Sequence, residues 1–246
     1  YASTCFEGFK AYSWKDGKAH IFRLHDHVAR MQRSAKSLHL PVPDAELLAG
    51  MVEDIVRKQL DDIPEPPSSL YLRPTLIGTL ENIGAAASPS TKALLYVLAS
   101  PVGDYFASGA GTLKLLVAEQ ARTTGQLGST KTGGNYAASL KAGAEAAQKG
   151  YSQVLWLDAI KGRYVEEVGA MNICFVYDGD HIVTPPLTGS ILPGITRDSV
   201  ITLGRDLGYK VSETPVDVNE MLTDIQSGKI SEVFGCGTAA VIAPVG

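Results

Sequence analysis

With 246 residues, 45% of them apolar and 20% charged, the chain is long enough for one large domain or two small ones around a sizeable core. A net charge of -4 excludes the basic field that nucleic acid or an anionic membrane surface requires, and small anionic ligands fit better. No apolar run reaches the roughly 18 residues of a spanning helix, and the sequence is read as soluble. Cys5, Cys174 and Cys236 are too few and too widely spaced for a zinc knuckle or a disulfide framework, so no metal is expected and the compartment is read as reducing.

In chain order, Thr4 to Tyr12 and His20 to Phe22, joined through a turn at Asp16-Gly17, read as a strand pair. Val28, Met31, Ala35 and Leu38 then fall at helical spacing until Pro41, and Arg30 stands beside that stripe rather than opposite it. Asp44 caps a second helix carrying Leu47, Leu48, Met51, Val52, Ile55 and Val56. Strands are expected at Leu70 to Ile77 and Ala93 to Ala99, the first an edge or bulged strand because of Pro74.

The Gly-, Pro- and Ser-rich stretch 100–110 is taken as an interdomain loop, dividing a small first domain over 1–99 from a larger one over 111–246. In the second half a strand-like run at Leu113 to Ala118 precedes a helix from about Tyr136 to Lys149 and a strand at Val154 to Leu157. Strands at Asn172 to Tyr177 and His181 to Thr184 flank an Asp178-Gly179 hairpin turn, and another lies at Glu232 to Phe234. Helices are expected near Thr196 to Leu207 and Val218 to Gln226.

Two segments carry chemistry. Lys131 opens Lys-Thr-Gly-Gly-Asn-Tyr136, where glycines remove side-chain bulk beside a lysine, and Glu167 opens Glu-Val-Gly-Ala-Met-Asn172 in an apolar frame. An amine with an ordinary pKa near ~10.4 is a poor nucleophile at neutral pH, and forming an imine with an aldehyde cofactor removes that difficulty. Pyridoxal phosphate (PLP) asks the protein for a lysine, an acid at its ring nitrogen, a phosphate cradle and a phenol donor. The segment Ile191 to Asp198 places Gly194 and Thr196 at a helix start, a natural anion site, and the turn Gly235-Cys-Gly-Thr-Ala239 offers a second. Arg30 and Arg73 are further anion candidates, and alternation puts Tyr71 and Arg73 on one strand face.

These residues together resemble the class IV (fold type IV) PLP aminotransferases, most closely the branched-chain amino acid aminotransferases. The likeness runs from Tyr1 through Phe6-Glu7-Gly8, Arg30 to Ala35, Tyr71-Leu-Arg-Pro74, Lys131 to Tyr136, Glu167 to Asn172, Leu192 to Arg197 and Gly235 to Ala239. It implies an α+β or α/β fold of two domains, a small α/β domain and a larger one with a barrel-like mixed β-sheet, assembled as a homodimer. It also implies that Lys131 is the Schiff-base lysine and proton carrier, that Glu167 pairs with the pyridine nitrogen and that Tyr136 donates to the ring oxygen. Arg30, the amides of Ile195 and Thr196, and Thr238 resemble the phosphate cradle, while Thr238 and Ala239 resemble the receptor for the substrate carboxylate. Tyr1, Phe6, Tyr71 and Arg73 resemble the lining of the side-chain pocket.

The implied reaction moves an amino group from leucine, isoleucine or valine to 2-oxoglutarate, with small amino and oxo acids as the partners. A cytoplasmic location is expected, with an organelle open because the sequence starts at Tyr1; both ends look like truncation points beside the family's usual length. Ala240 and Ala243 stand where some animal members carry a Cys-x-x-Cys pair, so no thiol switch is expected there. D-amino acid aminotransferases and aminodeoxychorismate lyases are the neighbouring readings. A P-loop nucleotide hydrolase is a distant one, because Gly125 to Thr132 has Thr130 where that motif needs glycine before its lysine.

Overall fold

The amino-terminal run does not pair with itself as one continuous strand. Strand β1 (Thr4–Phe6) and β2 (Phe9–Ser13) are separated at Glu7-Gly8, and β2 turns into β3 (Ala19–Ile21). The computed structural model in which this is seen describes residues 3–82, 88–103, 111–118, 121–123 and 125–246. The chain forms two compact units, Tyr1–Ser108 with Thr130–Gly134, and Gly109–Ser129 with Asn135–Gly246.

In the first unit, helix α1 (Leu24–Ser37) and helix α2 (Ala45–Lys58) cover an antiparallel sheet completed by β4 (Ser69–Gly78) and β5 (Ala93–Val102). The Asp44 carboxylate accepts the Leu47 N–H at 2.9 Å, which satisfies one of the donors left open at the start of α2. Leu48, Ala49, Val52 and Val56 then recur on its buried face. Phe9, Met31, Leu70 and Leu72 lie at the centre of this core, each side chain contributing roughly 1.5–3 kcal/mol by burial.

Strand β4 is interior, not an edge. Its residues 75–77 pair with β1 and 70–72 with β2, while β5 runs along the whole opposite side. Pro74 is tolerated there because the N–H it lacks would point into the gap that Glu7-Gly8 leaves between β1 and β2, and its carbonyl accepts the Glu7 N–H at 2.9 Å.

The stretch Thr130–Gly134, expected within the second domain, belongs with the first unit. The Lys131 carbonyl accepts from the Phe6 N–H at 3.1 Å, the Lys131 N–H donates to the Ser34 hydroxyl at 3.1 Å, and the Thr132 hydroxyl donates to the Thr4 carbonyl at 2.8 Å. Of the expected loop 100–110, residues 100–102 instead continue strand β5, where they pair with β4, and those from 104 onward fall outside the described residues.

The second unit begins with β6 (Leu115–Val117), includes most of helix α3 (Gly133–Gln148), and continues through β7 (Gln153–Leu157) and β8 (Val165–Val168). A five-stranded sheet in the order β11 (Lys210–Glu213), β10 (His181–Thr184), β9 (Asn172–Tyr177), β12 (Ile230–Gly237), β13 (Val241–Val245) follows. Helices α4 (Ile195–Asp206) and α5 (Val218–Gln226) pack against β12.

Directions are mixed. β10 and β11 run parallel, as do β6 and β7, and the other pairs are antiparallel. Leu113 bridges Val245 in parallel, and the tight turn after β8 leads straight into β9, so the two sheets of this unit are joined at both ends in a barrel-like arrangement. The Asp178-Gly179 turn forms with both residues at positive φ, 51° and 82°, as a hairpin twisted this way requires. Strand β11 carries no alternating apolar pattern, and nothing in its sequence announces it.

Candidate active site

The first unit gathers its polar residues around the break in β1 and β2. Leaving the ladder at Glu7 turns that carboxylate inward, where the Arg30 Nε donates to Oε1 at 2.7 Å and Nη2 to Oε2 at 2.8 Å. His27 Nδ1 lies 2.8 Å from Oε2. All three side chains are buried. Burial alone would push Glu7 up, but the charge and hydrogen bonds of Arg30 and the contact with His27 outweigh it and hold its pKa at about 2. Burial lowers His27, assisted by the charges of Arg30 and Lys131, and the Glu7 contact only partly offsets this.

Lys131 stands at the edge of this cluster with Nζ 4.8 Å from the centroid of the Phe6 ring. The Arg73 guanidinium carbon lies 4.7 Å from the same centroid and 5.1 Å from that of Tyr71, and Arg73 Nη2 donates to the Tyr71 hydroxyl at 2.8 Å. Arg73 Nε, although buried, has no hydrogen-bond partner among the described residues. The Tyr71 ring reaches over Gly8, where an added Cβ would sit 1.9 Å from its hydroxyl. Phe6, Tyr71, Arg73, Arg30 and Lys131 are thus brought together in one unit. Tyr1 lies outside the described residues.

The second unit builds a different constellation. Val168 and Met171 exchange both backbone hydrogen bonds at 2.9 Å across Gly169-Ala170, with Gly169 at φ 56°, so Glu167 and Asn172 face each other over a two-residue hairpin. Glu167 Oε1 accepts from Asn172 Nδ2 at 3.4 Å and from the Leu192 N–H at 3.3 Å, and the Asn172 amide also donates to the Leu192 carbonyl at 2.9 Å. Arg122 forms an ion pair with Oε2. Burial raises the Glu167 carboxyl; Arg122 and the Leu192 N–H pull it down, the neighbouring Glu166 pushes it up, and the result is about 7.

Its strand neighbour Glu166 turns to the other side, where it accepts from the Ser190 hydroxyl. The Ser190 carbonyl in turn receives the Thr123 hydroxyl at 3.0 Å and Arg122 Nη2 at 3.4 Å. The backbone of the loop before α4 is therefore tied to the segment carrying Arg122.

Helix α4 starts at Gly194 with no side-chain cap, and Ile195 and Thr196 are its first residues. A Cβ at Gly194 would meet Asn172 Oδ1 at 2.0 Å, so the helix start can approach the hairpin only with glycine there. Thr238 and Ala239 form the half-buried turn between β12 and β13. Gly235, just before that turn, packs against Met171 and Val168, where an added Cβ would meet Met171 Cε at 2.9 Å. Glu167, Asn172, the start of α4 and the Thr238 turn thus converge within one unit. Tyr136 is half-buried in the first turns of α3.

Sequence reasoning assigns no role to Arg122, Asn172, Glu7 or His27. Glu7 carries a readable signal, an acid set between an aromatic residue and glycine in an apolar strand. Arg122 carries none, being one arginine in an aperiodic loop.

A buried acid, an uncapped helix start, and a buried Arg122 Nε with no partner among the described residues suit an aromatic phosphate ester whose ring nitrogen needs an anion. Together with the two-unit α and β architecture, this defines a protein built to hold such a cofactor. The chain belongs to the class IV amino-transferase family, whose model matches residues 4–246.

It is 46% identical over 250 residues to a probable branched-chain-amino-acid aminotransferase of Streptomyces coelicolor, covering 100% of this chain and 68% of that relative. Among solved structures it is similar to the branched-chain aminotransferase of Thermoproteus uzoniensis with norvaline, at TM-score 0.84 and 32% identity over 100% of this chain and 77% of that one. It is also similar to the T.th. branched-chain amino acid aminotransferase complexed with N-(5'-phosphopyridoxyl)-L-glutamate, at TM-score 0.83 and 33% identity, covering 100% and 76%.

Proposed function

We propose that the chain is the transaminating part of a branched-chain amino acid aminotransferase, passing the amino group of leucine, isoleucine or valine to 2-oxoglutarate with PLP as cofactor. The observation that carries this reading is Glu167, a fully buried carboxylate held by Asn172, Leu192 and Arg122 in a member of this family. The relatives' names supply the substrate class, and the complexes with norvaline and a phosphopyridoxyl glutamate supply its two halves.

When bound, PLP supplies an aldehyde that takes up the amino group and a ring that accepts the electrons of the deprotonated carbon. Lys131 would hold the cofactor through its Nζ and, once the substrate's amino group takes its place there, would be free as an amine to accept and return a proton. Glu167 would keep a proton on the ring nitrogen, and Tyr136 would donate to the ring oxygen. Arg30, oriented by Glu7, the Ile195 and Thr196 amides and the Thr238 hydroxyl hold the phosphate. Thr238 and Ala239 receive the substrate carboxylate.

Phe6, Tyr71 and Arg73, with Tyr1, line the side-chain pocket, which must accept an aliphatic chain and then a second carboxylate. The first and second units correspond in this reading to the family's two domains. A homodimer in the cytoplasm, with no nucleic-acid or membrane partner, completes it. No helix among the described residues is long and apolar enough to cross a membrane.

The test is substrate choice: L-leucine, D-alanine and aminodeoxychorismate are offered to the PLP-loaded protein, with 2-oxoglutarate present for the two amino acids. Glutamate formed with L-leucine supports the reading, and turnover of D-alanine or aminodeoxychorismate alone moves the chain to a neighbouring branch of the family.

A further inference from the structure

Arg122 lies on the segment between β6 and α3, and its side chain is 8% exposed where it meets the 4% exposed side chain of Glu167. No motif of the sequence marks it. A carboxylate taken this far out of water loses several kcal/mol of hydration and discharges by protonation unless a positive partner answers it. The groups that face Glu167 are few. Asn172 and the Leu192 N–H are neutral donors, Trp156 stands across from it on β7, Glu166 on its own strand is a like charge, and Arg122 is the one described cation.

The position of Arg122 is itself enforced. Its Nη2 and the Thr123 hydroxyl both donate to the Ser190 carbonyl. Gly128, further along the same segment, lies so close to the Ser190 backbone that a Cβ would fall 2.0 Å from that carbonyl oxygen. A loop clamped at both ends does not hold an arginine in place merely to solubilise a surface.

We propose that Arg122 is a positioning residue for Glu167: in the protein without cofactor its guanidinium opposes the effect of burial, holds the carboxyl correctly turned and lowers the pH at which it ionises, so that a larger share of the anion is present when the ring nitrogen arrives. A ring nitrogen that arrives already protonated pairs at once with a carboxylate, whereas a protonated acid must first release its own proton to solvent. Arg122 therefore widens downward the pH range over which the protein takes up its cofactor in the working state. This rests on Glu167 being the acid at the ring nitrogen. The titration that tests it is made without cofactor, so its failure leaves that assignment standing, and a failure to bind PLP leaves the titration result standing.

The experiment is a carbon-13 carboxyl NMR titration of Glu167 in the cofactor-free protein and in Arg122→Met and Arg122→Lys, with Glu167→Gln assigning the resonance. The expected result is a midpoint raised by roughly 1–3 pH units in Arg122→Met and brought at least partly back in Arg122→Lys, because the charge and not the packing is what matters. The pH midpoint of PLP binding moves with it. If Arg122→Met does not fold, the Arg122→Met/Glu167→Gln pair takes its place, and it is expected to fold because the unanswered charge is gone. A midpoint unchanged in Arg122→Met, one raised equally in Arg122→Met and Arg122→Lys, or a double variant that also fails to fold would overturn the proposal.

Discussion

Arg30 and Glu7, 23 positions apart, form a two-pronged ion pair at 2.7 and 2.8 Å with both side chains buried. Strand β1 must end at Phe6 for Glu7 to turn inward, so the pair couples the start of the sheet to helix α1. Glu7→Gln leaves the guanidinium short of its counter-charge and is expected to cost about 3–5 kcal/mol. Urea denaturation at pH 7 measures it. A loss below about 1 kcal/mol would put the pair among weak surface contacts.

The same carboxylate shapes the acid limb of stability. Its folded pKa of about 2 lies below the ordinary 4.5, so its contribution is complete above pH 4.5 and disappears as the pH falls toward about 2. Glu7→Gln is expected to flatten that part of the stability curve. An unaltered slope between these values would contradict the assignment.

Glu167 acts in the opposite sense. Its folded pKa of about 7 lies above the ordinary 4.5, so folding binds a proton, and the stability tied to it is full below pH 4.5 and lost as the pH rises through about 7. The loss is on the order of 3 kcal/mol. In Glu167→Gln, cofactor-free, thermal unfolding between pH 5 and 8 should become less dependent on pH. An equally steep dependence would mean that another group carries the effect.

Gly8→Ala tests the pocket wall. The added methyl enters the space of the Tyr71 hydroxyl, 1.9 Å away, so the ring must swing and give up its bond from Arg73. The expected outcome is a KM for leucine and 2-oxoglutarate raised by about tenfold, since one hydrogen bond to a charged group is worth roughly 1.5–3 kcal/mol. Steady-state kinetics of the two half-reactions decide it. Unchanged KM values for both would remove Tyr71 and Arg73 from substrate binding.

Much of the architecture is legible because it is written locally. The Asp44 cap, the periodic faces of α1 and α2 and the Asp178-Gly179 turn each need only a few neighbouring residues to specify them. Glu167 is readable as an acid in an apolar, glycine-flanked frame, but the hairpin closed by Gly169 at positive φ, which sets it opposite Asn172, is not. What escapes depends on distant partners. Pro74 reads as an edge residue until the gap at Glu7-Gly8 is seen beside it, and Arg122 has no meaning until the chain brings Glu167 to it 45 positions later. Arg30 stands out as an anion holder, but its fixed partner, 23 positions earlier, does not.

The proposed chemistry depends first on the Lys131 amine as the group that carries the cofactor. The direct measurement is an absorbance scan of the purified protein after soaking in PLP, repeated with L-leucine and with Lys131→Ala. A visible band is expected that vanishes when leucine is added and is missing from Lys131→Ala, whose activity falls by roughly 10²–10⁴-fold. A parent protein that stays colourless, or a Lys131→Ala variant with the band and activity of the parent, would contradict it.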